Sequence, residues 1–233
     1  MVELDRPARR AYRSHHRAAQ ARQTRRRVLD AATAVFLERG WSGATVRGVA
    51  IEAGVSVPTV EALFGTKARL LKAAIDVAIA GDDEPVPVLD RPWAAAASQA
   101  DNAEDFISAV GDVLAAAQQR SAGLVLAVFE GAGRDHELAQ LADQMIAQRA
   151  ATAGWIVDRL RRLAPLRPGC SRAEAVDTVW LLMDPAVYDR LTRRPSWTPW
   201  RYGRWFASAA LHLLTPDVPP LPPASATEGG IRE

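Results

Sequence analysis

The sequence predicts an all-α chain in two parts: an N-terminal helix-turn-helix unit of three short helices, and a longer helical body. Three observations carry this. Apolar residues recur at helical spacing along most of the chain, and no stretch shows the period-two alternation of a half-buried strand. Gly54-Val55-Ser56 links two short helical segments by a turn of three residues. The charge is also divided. Residues 1–72 carry 14 Lys or Arg against 6 Asp or Glu, and the remainder carries 15 against 21. The overall charge of +2 therefore hides about +8 on the first third and −6 on the rest. Such a split suits a polyanion-binding module on an acidic body, with a solvated basic arm as the plainer reading.

Taken in order, residues 1–22 form a basic arm with Arg6, Arg9, Arg10, Arg13, Arg17 and Arg22, expected to be flexible or loosely helical. The helix-turn-helix unit occupies residues 23–72. Its first helix, 24–39, turns Val28, Leu29, Ala32 and Phe36 to one side and stops at Gly40, with Trp41 over its end. Thr45 caps a second helix, Val46 to Ala53, whose inner face is Val46, Val49, Ala50 and Ala53. Gly54 supplies a positive φ, Val55 points inward, and Ser56 caps a third helix over about Val57 to Phe64, with Pro58 tolerated in its first turn.

The body spans residues 73–214. A fourth helix from Thr66 to about Ala80, with Leu70, Leu71, Ala74, Ile75 and Ala78 inward, leads into it and is broken by the Gly81–Pro87 stretch. A short helix is expected from Trp93 to Gln99. The next starts near Asn102 and sets Phe106, Val110, Val113, Leu114 and Ala117 at helical spacing. Leu124 to Phe129 is apolar all round and predicted to be buried on every side. A long helix from about Asp135 to Leu163 ends at Pro165–Gly169. Ser171 and Glu174 form a capping box for a helix with Val176, Val179, Trp180 and Met183 inward. Thr198 and Pro199 start the last helix, with Tyr202, Trp205, Phe206, Ala209 and Leu213 on one stripe. The Pro-rich tail, 215–233, is predicted to be disordered.

Composition removes several classes of function. Cys170 is the single cysteine, so an internal disulfide and a multi-Cys zinc site are excluded. The longest apolar run, Leu124 to Phe129, is far too short to span a bilayer, and the N-terminus is Arg-rich where a signal peptide would be apolar. No membrane partner and a cytoplasmic location are expected. His136 sits between Asp135 and Glu137, but adjacent helical positions point apart, so no metal or cofactor is expected. No Gly-rich phosphate loop, nucleophile setting or paired catalytic carboxylates appear, and the chain is not expected to be an enzyme.

The second helix of a helix-turn-helix can enter a major groove. Val57, Pro58, Thr59 and Ala62 occupy the outer face of the third helix. Thr59 can hydrogen-bond a base edge, and the apolar residues can meet a thymine methyl. Arg47 lies on the outer face of the second helix, within reach of a phosphate.

The string Arg27-Val28-Leu29-Asp30-Ala31-Ala32, Phe36, Gly40-Trp41, Thr45-Val46, Ile51-Glu52-Ala53-Gly54-Val55-Ser56, Thr59-Val60, Phe64, Thr66-Lys67 and Leu70-Leu71 resembles the DNA-binding domain of the tetracycline-repressor (TetR) family over about residues 22–72. Asp184-Pro185-Ala186-Val187-Tyr188, with Trp197, Tyr202 and Trp205, resembles a C-terminal domain common in that family. The resemblance implies a transcription regulator whose C-terminal part binds a ligand and dimerises. Its partners would be a palindromic double-stranded DNA operator, a small-molecule effector and a second copy of the chain. Repression, relieved by the effector, is the commonest mode. The resemblance also implies phosphate contacts by Thr45 and Lys67, both at helix N-termini that favour anions, and an arm that reaches the minor groove. Capping is the structural reading of Thr45 and Ser56, and one hydroxyl can do both. Glu61 departs from the family pattern, which has Tyr there. Phosphate repels its carboxylate, which can instead accept from a cytosine amino group or pair with a nearby arginine.

The resemblance further implies a homodimer interface on the last two helices. The candidates are Val176, Trp180, Trp200, Tyr202, Trp205, Phe206, Ala209 and Leu213, with intramolecular packing as the alternative for each. It also implies an effector cavity among the middle helices. Candidate lining residues are Trp93, Phe106, Val110, Leu114, Val128, Phe129, Met145, Trp155 and Trp180, with Gln144, Gln148 and Thr152 to orient a ligand, and plain core as the alternative. Such walls favour an apolar or aromatic effector. Two rival readings are a sequence-independent nucleic-acid binder and an all-helical enzyme with an unrecognised site.

Overall fold

The computed structural model describes residues 6–216 apart from Pro85, with side chains from residue 19 onward. Ten α-helices and no strand occur among the described residues: α1 (Arg6–Gly43), α2 (Val46–Ala53), α3 (Val57–Phe64), α4 (Lys67–Ala80), α5 (Pro92–Ser98), α6 (Ala103–Ala132), α7 (His136–Leu163), α8 (Arg172–Leu182), α9 (Pro185–Thr192) and α10 (Pro199–Leu214). The expected tail, apart from Thr215 and Pro216, and the first five residues of the arm lie outside the described residues.

Most boundaries follow local chemistry visible in the sequence. Thr45, Ser56, Thr66, Asn102, Asp135, Ser171 and Thr198 each accept a backbone N–H at the start of a helix. The Ser171–Glu174 capping box is complete in both directions. Three elements differ from expectation. Helix α1 begins at Arg6, not near residue 24, because the Ala-, Arg- and Gln-rich arm is built of good helix formers that continue it. Gly40, with φ 62° and ψ −172°, kinks α1 without ending it. Helix α9 was not expected. Asp184 caps it by accepting from Ala186 N at 2.8 Å, and Pro185 occupies its first turn. A single turn of 3-10 helix also forms at Val88–Asp90.

The buried apolar residues fall into two cores. The first joins Val28, Leu29 and Phe36 of α1, Val49 of α2, Val60 of α3 and Leu70, Leu71 and Ile75 of α4 to Leu124 and Val128 of α6 and Leu138 and Leu141 of α7. The boundary drawn at residues 72 and 73 thus falls inside α4 and inside one core. The second core holds Phe106 and Ile107 of α6, Ile156, Val157 and Leu160 of α7, Val179 of α8, and Tyr202 and Phe206 of α10. Helix α6 belongs to both. Its segment Leu124 to Phe129 is not buried on every side: at this level α1, α4 and α7 flank it, and Phe129, 37% exposed, lies on the arc they leave open.

Helices α6 and α10 approach through two glycines. A Cβ on Gly111 would sit 2.5 Å from the Gly203 carbonyl oxygen, and one on Gly203 would sit 2.6 Å from that of Gly111. The same crossing buries polar groups that close the end of α8. Tyr202 Oη donates to Leu182 O at 2.8 Å, and Gln118 Nε2 donates to Met183 O at 2.7 Å. Burial pushes the Tyr202 hydroxyl far above its usual pKa.

Candidate nucleic-acid interface and ligand groove

The helix-turn-helix is held rigid from beneath. Gly54 adopts φ 63° and ψ 40°, Val55 N donates to Ala50 O at 2.9 Å, and Ser56 Oγ accepts from Thr59 N at 3.3 Å. From α1, Arg27 Nη2 donates to Ala53 O at 2.6 Å and to Gly54 O at 3.3 Å, satisfying carbonyls that α2 leaves open at its C-terminus. Arg25 lies 4.8 Å over the Phe64 ring and pairs with Asp83 at 3.1 Å. Sequence reasoning missed both roles, counting these arginines only as basic charge. The clue was their position, one and three residues before Val28 on the helix that packs under the turn.

With the apolar side of α2 and α3 buried, the remaining positions face out. Thr45, Arg47, Ser56, Pro58, Glu61 and Ala62 are exposed, and Val57 and Thr59 are half-buried. The Thr45 hydroxyl accepts from Gly48 N at 2.9 Å and keeps its proton to donate elsewhere. Thr59 Oγ1 shares a hydrogen bond with Ser56 Oγ at 2.8 Å. Glu61 makes no ion pair among the described residues.

Lys67 is turned inward. Its Nζ lies 4.0 Å from the Trp41 ring centroid and donates to the Trp41 carbonyl. Desolvation lowers its pKa, against raising influences from Asp135 and Glu130. The body holds the same tryptophan from the other side. Glu130, near the end of α6, accepts from Ser42 Oγ at 3.0 Å and Trp41 N at 3.4 Å, and Gly131 leaves room for the indole.

The expected effector-lining residues divide between the two cores and the surface. Phe106, Val110 and Leu114 are buried in the second core, with Trp155 and Trp180 packed against it. Val128 and Met145 belong to the first, while Phe129 and Gln148 are exposed. Thr152 Oγ1 donates back to Gln148 O at 3.0 Å, within α7. What the structure offers instead is an open groove of about 550 Å³ between α5, α7 and α8. It is lined by Ser98, Ala150, Ala151, Gly154, Trp155, Asp158, Arg159, Arg162, Arg172 and Val176. Of the expected lining residues only Trp155 is among them, placed edge-on to Trp93 at 5.8 Å.

Of the expected dimer residues, Tyr202 and Phe206 are fully buried within the protomer and do not face a partner. The Gly111–Gly203 approach turns that side of α10 onto α6. Trp200 and Leu213 are exposed, joined by Leu181 of α8 at 57% exposure, whereas Val176, Trp180, Trp205 and Ala209 are half-buried. Trp180 is covered by Arg149, 4.1 Å over its ring and paired with Asp184 at 2.9 Å. Among the described residues, no three potential metal-ligating side chains converge, and no helix is long and apolar enough to cross a membrane.

Residues 28–74 match the sequence profile of the bacterial regulatory proteins of the tetR family. No curated protein is significantly similar in sequence. Solved structures share the fold at low identity. A regulator, FadR, from Bacillus subtilis in complex with stearoyl-CoA is 15% identical, covering 80% of this chain and 97% of its own, with a TM-score of 0.63. A transcriptional regulator from Pseudomonas aeruginosa PAO1 is 18% identical over 82% and 90%, with a TM-score of 0.62. NalD, the secondary repressor of the MexAB-OprM multidrug efflux pump in Pseudomonas aeruginosa, is 18% identical over 86% and 100%, at 0.59.

Proposed function

We propose that this chain, whose residues 28–74 match the sequence profile of the tetR-family bacterial regulatory proteins, is a homodimeric repressor released from a palindromic operator by a small-molecule effector. One observation carries this reading. The outer face of α3 presents Pro58, Glu61 and Ala62 to solvent, on a helix whose opposite face is fixed by the first core and whose preceding turn is held by Arg27. A rigid, unpartnered helix after a tight turn suits insertion into a major groove. Thr45 and Arg47 flank it as phosphate contacts, and Lys67 joins them once it leaves Trp41.

Dimerisation is read from the apolar residues that α8 and α10 leave exposed, Leu181, Trp200 and Leu213. Two protomers place two recognition helices on half-sites about one helical turn apart. The effector is assigned to the groove between α5, α7 and α8. The fold-sharing FadR, bound to stearoyl-CoA, and the repressor NalD support a ligand-responsive repressor over an enzyme. The protein then acts in the cytoplasm, where its DNA is.

The test is a titration of the full chain against duplexes drawn from the DNA flanking its own gene and against random duplex, at fixed salt. A palindromic site bound by one dimer at least ~10³-fold more tightly than random DNA is expected. Equal affinity for all duplexes would favour the sequence-independent binder.

A further inference from the structure

The groove has a chemical gradient along α7. Its upper wall is small and apolar: Ala150, Ala151 and Gly154, with the Trp155 indole and Val176 of α8 beside them. One to two turns further on, the lining changes to Asp158, Arg159, Arg162 and, from α8, Arg172. From Ala150 to Arg162 this covers about 18 Å of helix, at 1.5 Å per residue. Small side chains open the apolar end, because residues at i, i+4 and i+8 share a face and here they are Ala150, Gly154 and Asp158.

The charged end is not self-neutralised. Arg172 takes the only carboxylate of the lining, binding Asp158 through Nε and Nη2, both at 2.7 Å. That pairing holds the Asp158 carboxyl below its usual pKa. Arg159 is anchored by neutral groups, donating to Ala100 O at 3.0 Å and to Ser98 O at the end of α5. Arg162 is exposed and has no carboxylate within ion-pair distance among the described residues. Arg159, Arg162 and Arg172 thus share one carboxylate in the lining; Arg172 Nη2 reaches to 3.5 Å from the Cβ position of Gly154, and Ala150, Ala151, Trp155 and Val176 make the apolar part.

We propose that this groove takes an amphipathic organic anion: a flat or extended apolar body against Trp155, Ala151 and Val176, with a single carboxylate- or sulfonate-like head at Arg159 and Arg162. This rests on the effector reading given above and names the class of effector. It adds a charged head to the apolar or aromatic effector that the sequence favoured. Arg162 is exposed and lies near Asp158 without an ion pair to it, Arg159 is pre-positioned by its two carbonyls, and Asp158 fixes Arg172 against the Gly154 wall.

Two probes with the same rings separate the charge from the apolar body: 1-anilinonaphthalene-8-sulfonate, an anion, and neutral N-phenyl-1-naphthylamine. Both are titrated by fluorescence into the full-length protein at 150 mM salt. The anion is expected to bind one per protomer and several-fold more tightly than its neutral analogue. Arg162→Gln, on an exposed side chain, should weaken the anion at least fivefold and leave the neutral probe unchanged. Ala151→Trp, which fills the apolar end, should abolish both. Circular dichroism melts report whether each variant is folded. Equal binding of the two probes, indifference of the anion to Arg162→Gln, or indifference of both to Ala151→Trp would overturn the proposal. So would failure of both probes to bind because a partner copy covers the groove. Operator titration of the same samples keeps the two readings apart. A protein that selects its operator but fails these probe tests loses only the anion assignment. One that cannot tell operator from random duplex loses the regulator reading itself.

Discussion

Glu130 and Ser42 are 88 residues apart in the chain, and their side chains meet at 3.0 Å. The carboxylate also accepts from Trp41 N, while Lys67 of α4 donates to the carbonyl of the same tryptophan. The end of α6, the kink of α1 and the start of α4 therefore share one residue, at the joint between the two parts of the protein. If this joint is energetically coupled, Ser42→Ala and Glu130→Ala should not be additive. A coupling of about 0.5–1 kcal/mol is expected in a double-mutant cycle of unfolding free energies, modest because the pair is solvent-exposed. Additivity within about 0.3 kcal/mol would show the contact to be geometric only.

The Gly111–Gly203 crossing tests packing against propensity. Alanine in place of a mid-helix glycine gains up to about 1 kcal/mol of helix propensity. Here each added Cβ meets a backbone carbonyl oxygen that cannot swing aside. Gly203→Ala is expected to be destabilising by about 1–3 kcal/mol net, the scale of core overpacking. Because the two glycines face each other, adding Gly111→Ala should cost less than its single effect. A more stable Gly203→Ala would mean that α6 and α10 separate freely.

Arg27→Met keeps the apolar stem of the side chain but removes the donor to Ala53 O and Gly54 O. A loss of about 1–2 kcal/mol is expected, the scale of leaving a half-buried carbonyl unsatisfied. Operator affinity should fall with it, since the turn sets the angle of α3. Amide hydrogen exchange at Val55 and Ser56 should rise above that of α4. Unchanged exchange would remove Arg27 from this role.

Lys67→Ala should make the slope of log affinity against log salt shallower by about one per protomer if its ammonium leaves Trp41 to neutralise a phosphate. Weaker binding with an unchanged slope would instead identify Lys67 as part of the joint around Trp41.

Glu61→Tyr replaces a carboxylate repelled by phosphate with a hydroxyl that can donate to it. Non-specific duplex should bind tighter by about 1 kcal/mol or more, the scale of a hydrogen bond to a charged group. If Glu61 reads a cytosine, the variant also loses about 1–3 kcal/mol of discrimination at that base pair. Titration against the operator, a single-base variant set and random duplex distinguishes the two. Weaker binding to all three would show that Glu61 supports the helix.

The features legible in the sequence were those set locally. Thr45, Gly54, Ser56 and the Ser171–Glu174 box announce helix ends through a few neighbouring residues, and they fall where expected. Burial was legible wherever a single stripe decided it, as with Val49 and Leu70. What failed depended on tertiary approach. Tyr202 and Phe206 look like interface aromatics until Gly203, a small residue with a plain spacing, turns them onto α6. Phe129 looks buried until one asks which neighbours reach its level. The groove could not be foreseen from α7 alone, because its cationic end also requires α8 to bring Arg172 beside Asp158, 14 residues away in the chain.

Helix α6, at 30 residues, is about 45 Å long, given the 1.5 Å rise of an α-helix. Phe106 near its start is packed in one core and Val128 near its end in the other. It therefore acts as a lever arm. With α6 pinned at Gly111 by Gly203, a tilt of about 5° would displace the tip carrying Glu130 by about 2.5 Å, over an arm of about 28 Å. In the proposed homodimer, two such tips moving in opposite senses would double the change in span between the recognition helices. Operator half-sites tolerate little error around their spacing of about 34 Å. In the proposed repressor, a rearrangement at α5 that tilts α6 would carry the first core with it and change the spacing of the two recognition helices.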